Sequence, residues 1–361
     1  MKKPEGAKMD RSEKNKIQNL AGAIKNIVGD KSIRLMEVCG THTMAIARYG
    51  IKSLLPSGLD IVSGPGCPVC VTSAQDIQFA IDLANQKDCL VATFGDMIKV
   101  PGESTNLGGA KNVEVVYSPF DALEMAQKNS DRQIVLLGLG FETTTPLIAS
   151  LVKSAAQLKL RNFSVLPMHK LVPPALQLLI SDPESKLDGF ILPGHVSAIT
   201  GTRYFKFLEA AAMGGVVSGF TPLDIMESIY VLVADIVAGR TRVFNNYQRV
   251  VREEGNQKAF NLIWEVYETE DSKWRGIGTI PASGLRLQDE FADFDANCKF
   301  EIKKREVEEP KGCICGEILM GRKRPKECVH FGKTCTPLYP VGPCMVSSEG
   351  TCAAWYKYHK E

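Results

Sequence analysis

Short apolar runs alternate with helical patterns from residue 33 to about residue 240 of this chain. A strand, a helix and a further strand form a βαβ unit, and repeated units of this kind build parallel sheets. We predict strands at 33–39, 59–64, 89–95 and 113–117, and then at 133–140, 163–168, 189–193 and 215–218. The pattern therefore predicts an α/β fold with two doubly wound, Rossmann-like parallel-sheet domains.

The length of the chain and the sequence patterns near its two ends predict how it is divided into domains. A chain of 361 residues exceeds the size at which a single core stops growing. Apolar residues at three- and four-residue spacing predict a helix ending near Gly29, and the Gly-, Pro- and Cys-rich last ~50 residues need a metal to hold them. The predicted parts are an N-terminal helix packing on the C-terminal domain (1–30), a first α/β domain (31–130), a second α/β domain (131–240) and a small helical and metal-bearing domain (241–361).

Composition excludes several classes of protein. Lys and Arg (43) nearly balance Asp and Glu (41), and no basic stripe interleaves with aromatic residues, so we expect no nucleic-acid partner. The charged start lacks the apolar core of a signal peptide, and no apolar run is long enough to span a bilayer, which predicts a cytoplasmic protein without a membrane partner. In a reducing compartment, the 11 cysteines are expected to bind metals or do redox work.

The first cysteine motif is Cys39-Gly40-Thr41-His42-Thr43, which follows the first predicted strand. Cys39 lies just ahead of a predicted helix, whose dipole should favour its thiolate and make it a nucleophile or a soft-metal ligand. His42 could take the thiol proton or orient a ligand. The alternative is a buried cysteine beside a packed histidine, and we favour the functional interpretation.

The second motif is Gly64-Pro65-Gly66-Cys67-Pro68-Val69-Cys70, after the second predicted strand. Two-residue spacing lets the sulfurs of Cys67 and Cys70 meet, either as a reversible disulfide or as half of a metal site. The glycines indicate close backbone approach to another group. A half structural zinc site is the alternative interpretation.

Further polar residues follow other predicted strands. Ligands bind beyond the carboxyl ends of parallel strands, so two such rims facing each other would form a cleft between the domains. Asp96, Glu142, His169 and His195 all lie at these strand ends. Each also has an ordinary interpretation: Asp96 as a turn residue, the threonines after Glu142 as helix caps, and the two histidines as hydrogen-bonded structural residues.

The four C-terminal cysteines are spaced C-x6-C-x8-C-x7-C, at Cys328, Cys335, Cys344 and Cys352. Four thiolates can hold zinc or an iron–sulfur cubane. Zinc ribbons favour close C-x-x-C pairs, so these wide spacings favour the cluster. Two further cysteines, at 313 and 315, are either a second thiol pair or an alternative source of a ligand. We assign no role to the cysteines at 89 and 298.

Six segments of the chain together resemble one protein family. They are Cys39-Gly40-Thr41-His42-Thr43, Gly64-Pro65-Gly66-Cys67-Pro68-Val69-Cys70, Thr93-Phe94-Gly95-Asp96-Met97 with Val100-Pro101-Gly102, Gly140-Phe141-Glu142-Thr143-Thr144, Leu192-Pro193-Gly194-His195 and the four-cysteine tail. In this order they resemble the HypD family of hydrogenase maturation factors. The resemblance runs from about residue 33 to the C-terminus, and it implies two α/β domains that face a cleft plus a small iron–sulfur domain packed with the N-terminal helix.

The resemblance also implies a function. It implies a scaffold that assembles the Fe(CN)2CO unit of [NiFe]-hydrogenase with the small chaperone HypC and the cyanide donor HypE, and that reaches the hydrogenase large subunit through HypC. It implies that Cys39 holds the iron with a cysteine of HypC, and that Cys67 and Cys70 take part in redox or ligand transfer. The four terminal cysteines would bind a [4Fe–4S] cluster. The residues expected to supply protons or bind the diatomic ligands are Thr41, His42, Asp96, Glu142 and His195.

Our hypothesis is that the cluster recharges a thiol pair, which then releases cyanide from a thiocyanate on HypE while Cys39 holds the receiving iron. A cubane supplies electrons singly, whereas a dithiol supplies a pair. The main alternative is a thiol–disulfide oxidoreductase resembling ferredoxin:thioredoxin reductase, which leaves Cys39 without a task. A third interpretation is an adaptor held together by zinc, with inert cleft cysteines.

Overall fold

The computed structural model describes residues 10–302 and 304–359. The strands of these residues are β1 (Ile33–Glu37), β2 (Leu59–Ser63), β3 (Cys89–Thr93), β4 (Val113–Val115), β5 (Gln133–Gly138), β6 (Phe163–Pro167), β7 (Gly189–Pro193), β8 (Gly214–Ser218), β9 (Val243–Asn245), β10 (Tyr267–Trp274) and β11 (Gly278–Leu287). The α-helices are α1 (Arg11–Val28), α2 (Gly40–Arg48), α3 (Pro68–Val71), α4 (Ala74–Ala84), α5 (Pro119–Lys128), α6 (Thr145–Gln157), α7 (Val172–Ser181), α8 (Gly194–Thr200), α9 (Phe207–Ala210), α10 (Pro222–Val237), α11 (Gln257–Val266), α12 (Ala296–Lys299), α13 (Cys315–Leu319) and α14 (Thr351–Tyr358).

Two parallel sheets carry the fold. The first sheet has the strand order β2-β1-β7-β8-β9, and the second has the order β4-β3-β5-β6. Every pairing inside these two sheets is parallel, whereas β10 and β11 form an antiparallel hairpin. Fully buried strands such as β6 and β7 are apolar except for Ser164 of β6, as expected when helices cover both faces. The α/β class predicted from the sequence is confirmed.

The chain visits the first sheet twice. It forms β1 and β2, crosses to build the whole second sheet, and returns with β7, β8 and β9. The sheets therefore do not follow the predicted boundaries 31–130 and 131–240, since each predicted domain contributes strands to both sheets. The physical reason is that β1 pairs with β7, far along the chain, and a short, mostly buried strand carries no pattern that specifies which strand lies beside it.

Helix α1 covers the outside of the first sheet. Its buried residues Ile17, Ile24 and Val28 belong to one apolar cluster with residues of α10, and it ends as predicted, with Gly29 in a left-handed conformation at φ 53°. The sequence analysis placed this helix on the C-terminal domain, and that prediction is wrong. The apolar face of α1 is buried on α10 instead, because α10 presents a matching apolar surface.

The C-terminal segment packs against the loops that follow β1 and β2. Helix α14 packs on α2, and the turn at residues 343–345 packs on α3. The buried cysteines of this segment share one apolar cluster with Cys70. No helix in residues 10–302 and 304–359 is long and apolar enough to cross a membrane.

The loops after β1 and β2 touch each other closely. The backbone N–H of Gly40 donates to the carbonyl oxygen of Gly66, 3.0 Å away. A Cβ atom on Gly66 would lie 2.2 Å from the backbone nitrogen of Cys39, so a glycine is required there. This contact fixes the two cysteine motifs side by side.

We therefore expect Gly66→Ala to destabilise the protein. Backbone would have to move to admit the methyl group, at a cost of about 1–3 kcal/mol in the free energy of unfolding. The matched control is Gly22→Ala in α1, where a Cβ meets nothing within 4 Å and alanine should stabilise the helix by about 0.5–1 kcal/mol. Urea unfolding measures both changes, and an unaltered unfolding midpoint for Gly66→Ala would contradict the crowding.

Candidate functional site

A cavity of about 240 Å³ lies between the two sheets. The loops of the first sheet line it with Cys39, Thr41 and His195, among others. The loop after β5 lines the opposite side with residues 140–144 except Glu142, and the C-terminal segment adds Glu349. The cavity therefore lies where the carboxyl-end rims of the two sheets face each other, as expected for open α/β sheets.

Cys39 is the buried thiol of this cavity. Its backbone N–H donates to the carboxylate of Glu37 at 3.1 Å, and the hydroxyl of Thr43 donates to the same carboxylate at 2.5 Å. Burial, with smaller contributions from the charges of Glu349 and Glu37, raises the pKa of Cys39 to about 12. From the sequence we expected the helix dipole to favour the thiolate. A shift of this size corresponds to about 4 kcal/mol, whereas a helix terminus contributes about 0.3–1 kcal/mol, so burial dominates.

The protonation of Cys39 sets what it can do. At neutral pH the thiol keeps its proton, and it is not a ready nucleophile. A metal cation binds the thiolate and so displaces that proton. Backbone N–H groups of His42 and Thr41 donate to the sulfur and favour its charged form. The site is thus suited to a soft metal ion, because binding of the metal to the thiolate offsets the free-energy cost of deprotonating Cys39.

The two predicted histidines stack on one phenylalanine. The ring of Phe220 lies 4.7 Å from the ring of His42 and 4.0 Å from the ring of His195. The Nε2 of His42 lies 2.9 Å from the carbonyl oxygen of Gly219, which can only accept, so Nε2 carries the proton. Burial lowers the pKa of His42 to about 4. His42 is therefore neutral, and its backbone rather than its ring contacts the Cys39 sulfur.

Glu349 joins the cavity to the C-terminal cysteines. It lies between Cys344 and Cys352 in the chain, and one of its carboxylate oxygens accepts from the hydroxyl of Thr41 at 2.6 Å. Glu349 was not among the site residues predicted from the sequence. Its position between two cysteines of the tail was the one signal that could have pointed to it.

The two predicted acidic residues stand away from the cavity lining. Asp96 accepts a hydrogen bond from the hydroxyl of Ser347 at 3.4 Å, which fastens the C-terminal segment. Glu142 is completely buried, and one carboxylate oxygen accepts from the backbone N–H of Val172 and from the hydroxyl of Tyr204, each at 2.9 Å. Its other oxygen has no partner among the described residues. Because Tyr204 lies between β7 and β8, Glu142 links the second sheet to the first.

Thiols continue from the cavity toward the surface. The sulfurs of Cys67 and Cys70 lie 2.6 Å apart, so this pair can close into a disulfide with little movement. The thiols of Cys70 and Cys315 are near enough to Cys344 to affect its pKa, and Cys315 is near enough to Cys352 to do the same. We call the following set the sulfur series: Cys67, Cys70, Cys344, Cys352, Cys315, Cys313, Cys335 and Cys328.

The outer end of the sulfur series consists of Cys313, Cys315, Cys328 and Cys335. Their thiolates are of the kind that bind metals. The sulfurs of Cys313 and Cys315 lie 3.3 Å apart, and a Cβ on Gly342 would meet them at 2.7 Å and 2.8 Å, so the glycine leaves space beside both. Burial and the Cys313 and Cys315 thiols raise the pKa of Cys335. The sulfur of Cys328 lies 3.7 Å from the carbonyl oxygen of the residue before Cys313. Within residues 10–302 and 304–359, no three or more His, Cys, Asp or Glu side chains are already arranged around a metal position.

The two remaining cysteines lie apart from the sulfur series. Cys89 is buried inside β3, and Cys298 is exposed. His169 is buried at the end of β6, with its ring 5.4 Å from that of Tyr267. These three residues contribute nothing to the cavity lining.

Fold and site together define a class: a two-sheet α/β protein that gathers thiols between an interdomain cavity and its own C-terminal segment. The family model for HypD, described as "Hydrogenase formation hypA family", matches residues 15–359. The chain is 43% identical over 339 residues to the hydrogenase maturation factor HypD of Rhodobacter capsulatus, covering 91% of this chain and 90% of that protein. It is 44% identical to HypD of Cupriavidus necator (90% and 89% covered) and 40% identical to HypD of Escherichia coli K12 (92% and 91% covered). The chain belongs to the HypD family of hydrogenase maturation factors.

The buried carboxyl of Glu142 should make stability depend on pH. Burial raises its pKa from 4.5 to about 7, so between these values the native state holds a proton that the unfolded chain has lost. The stabilisation is fully present below pH 4.5 and is lost as the pH rises through 7, by about 3 kcal/mol. We expect Glu142→Gln to flatten the decrease in the free energy of unfolding over this range. Urea unfolding at several pH values measures it, with exposed Glu124→Gln as the control, and equal slopes in all three proteins would refute the assignment.

Proposed function

We propose that this protein is the scaffold on which the Fe(CN)2CO unit of [NiFe]-hydrogenase is assembled. Its partners are a HypC-type small chaperone and a HypE-type cyanide donor, and it reaches the hydrogenase large subunit through the chaperone. Family membership supports a role in hydrogenase maturation. The single observation that carries the proposal is that Cys39 lies in a cavity between the sheets, beside the inner end of the sulfur series.

Iron is the substrate of this cavity, and Cys39 binds it. The thiol gives up its proton to the solvent when the metal arrives, and the backbone N–H groups that already point at the sulfur stabilise the thiolate. A second thiolate comes from the chaperone. The uncharged ring of His42 adds no positive charge behind the iron. Thr41 and His195 line the cavity and are positioned to contact the nitrogen and oxygen ends of diatomic ligands.

Cyanide transfer requires two electrons and an exchange of protons. HypE presents cyanide as a thiocyanate on its own cysteine, and the bond between that sulfur and the cyanide carbon must break. The dithiol of Cys67 and Cys70 supplies the electron pair and becomes a disulfide, releasing two protons. One proton passes to the HypE sulfur, which leaves as a thiol, and the other is released to solvent when the cyanide anion binds iron. Gly66 and Pro68 line the cavity on either side of Cys67. This position supports Cys67 as the thiol that attacks the thiocyanate.

The rest of the sulfur series returns the pair to the dithiol state. Cys344 contacts Cys70, and Cys352 lies close to Cys344, so these two thiols can exchange with the Cys67–Cys70 disulfide. When bound, a [4Fe–4S] cluster supplies electrons one at a time. The space beside Gly342 favours Cys313 and Cys315 as two of its ligands, with Cys328 and Cys335 as the other two. The sequence-based set is Cys328, Cys335, Cys344 and Cys352, so the two sets share Cys328 and Cys335 and differ in the remaining two ligands.

A second candidate function is a thiol–disulfide oxidoreductase that reduces a partner protein. The 2.6 Å separation of the Cys67 and Cys70 sulfurs favours it equally. It gives no task to Cys39, which is buried at the cavity and surrounded by groups that tune its thiol. We therefore place it second.

Infrared spectroscopy tests the scaffold. The protein, purified without oxygen together with HypC-type and HypE-type partners, should show cyanide and carbonyl stretches on iron. We expect Cys39→Ala to lose all of these bands, and Cys70→Ser to lose the cyanide bands while keeping the brown colour of its cluster. Cys298→Ser, at an exposed cysteine outside the sulfur series, is the control and should match the parent. A brown parent complex without bands would favour the oxidoreductase, and bands that persist in Cys39→Ala would exclude Cys39 as the iron ligand.

Iron content separates the two ligand sets. If Cys313 and Cys315 are ligands, Cys313→Ser should lose most of its iron and colour, while Cys344→Ser should retain both. Iron and sulfide analysis with visible spectra measures the outcome. Loss in Cys344→Ser with retention in Cys313→Ser would restore the sequence-based set, and a colourless, zinc-containing parent would exclude the cluster altogether.

A further inference from the structure

Three large apolar side chains stand exposed on one loop of the C-terminal segment. Val329, Leu338 and Tyr339 are 64%, 74% and 76% exposed. The loop has a defined shape: Phe331 and Cys335 form a β-bridge, and the backbone N–H of Thr336 donates to the carbonyl oxygen of Tyr339 at 3.1 Å. Large apolar side chains exposed on one ordered loop mark a candidate binding site.

The same loop carries Cys328, one of the partly buried thiols of the sulfur series. Cys328 directly precedes Val329 and, like Cys313 and Cys315, is only partly buried, whereas Cys70 and Cys344 at the inner end are completely buried. Cys335 lies in the same loop but is buried, with its sulfur accepting from the backbone N–H of Val341 at 3.3 Å. The exposed apolar side chains therefore lie on a loop where the sulfur series comes near to solvent.

Positive charge is concentrated around this loop. Between residues 321 and 340 the sequence holds five basic residues and one acidic residue, Glu327, although the whole chain has a net charge of only +2. The basic residues are Arg322, Lys323, Arg324, Lys326 and Lys333. The two arginines form ion pairs with Asp182 and Asp60, and the three lysines are exposed. A hydrogen bond from the ring of His330 to the carbonyl oxygen of exposed Lys311, at 2.8 Å, brings one more lysine to this side.

The proposed chemistry requires electrons to enter at this end. Each cyanide transferred oxidises the Cys67–Cys70 dithiol, and restoring it takes two electrons and two protons. The protons come from solvent, and the electrons must come from a separate donor. The inner end of the sulfur series faces the cavity, where the partners of assembly bind. A donor must therefore approach the outer end, where Cys328, Cys313 and Cys315 are only partly buried.

We propose that Val329, Leu338 and Tyr339, with Lys333 on the same loop and Lys311 held beside it by His330, form a docking surface for a small acidic protein that carries one electron. Two successive dockings, each oxidising one carrier, restore one dithiol. Transient electron-transfer complexes bury little area, below about 1,200 Å², which suits three apolar contacts with a charged rim. This inference rests on the proposed function and identifies the kind of partner that function needs.

Binding of a plant-type [2Fe–2S] ferredoxin, an acidic one-electron carrier, is the first test. Calorimetric titration of the anaerobic, cluster-loaded protein should give an affinity that falls steeply between about 0.01 and 1 M salt, as the Debye length falls from about 30 to 3 Å. We expect Tyr339→Ala and Lys333→Glu each to weaken binding by about tenfold or more. Tyr117→Ala and Lys87→Glu are matched controls at exposed positions on the second sheet, and they should leave the affinity unchanged. Equal losses in variants and controls would overturn the proposal.

Stopped-flow reduction provides a second measurement. It distinguishes failure of the docking surface from failure of the proposed function. Reduced ferredoxin should bleach the visible absorbance about tenfold more slowly in Lys333→Glu than in the parent. Reduced methyl viologen, which needs no docking surface, should bleach all variants at one rate. If methyl viologen reduces nothing, the proposed function fails and the docking proposal fails with it. If methyl viologen works and ferredoxin reduces parent and variants equally fast, only the docking surface is refuted.

A second copy of the chain is the competing occupant of this surface. Sedimentation of the parent and of Tyr339→Ala distinguishes the two. A monomeric parent supports a carrier as the occupant, and a parent dimer that dissociates in Tyr339→Ala would overturn it.

Discussion

The site depends on the contact between the C-terminal segment and the loops that follow β1 and β2. Cys344 meets Cys70, Glu349 meets Thr41, and Ser347 meets Asp96. The fit is tight, since a Cβ on Gly40 would lie 2.6 Å from the side chain of Glu349. Without this contact the cavity would lack one wall, and the sulfur series would be broken between Cys344 and Cys70.

Burial governs the chemistry of the groups around that contact. The pKa of Cys39 rises to about 12 and that of Glu37 to about 7, while that of His42 falls to about 4. All three changes favour the uncharged form, as desolvation does. Burial therefore keeps the thiol of Cys39 and the ring of His42 uncharged in the absence of a metal cation. A cation then reverses the preference of Cys39, because the thiolate gains a positive partner in a place from which water is largely excluded.

Much of the secondary structure could be predicted from the sequence, and the pairing of elements could not. Apolar runs located β1 to β8 to within about two residues at their ends, because buried parallel strands are continuous apolar segments. The hairpin of β10 and β11 was missed, since β10 is mostly polar and partly exposed. The partner of α1 and the pairing of β1 with β7 were also beyond reach, because an apolar surface does not specify which other apolar surface covers it.

The candidate site was predictable in its motifs and unpredictable in its contacts. Spacing drew attention to Cys39, Cys67 and Cys70, which the structure brings to one region. It could not show that the ring of His42 turns to Gly219, or that Glu142 bonds Tyr204, because both depend on which loops cross in space. The sequence left the role of Cys313 and Cys315 undecided. The space beside their sulfurs at Gly342 depends on the fold and could not be foreseen from spacing.

The double visit of the chain to the first sheet orders events during synthesis. All four strands of the second sheet come from one continuous stretch, residues 89–167, so that sheet can form as soon as the stretch leaves the ribosome. Strands β1 and β2 must wait for β7, β8 and β9, and the cavity wall that contains Glu349 is synthesised later still. The thiol that faces the cavity is thus made early and enclosed late. A newly made molecule therefore cannot complete this cavity before Glu349 has been synthesised and has reached Thr41.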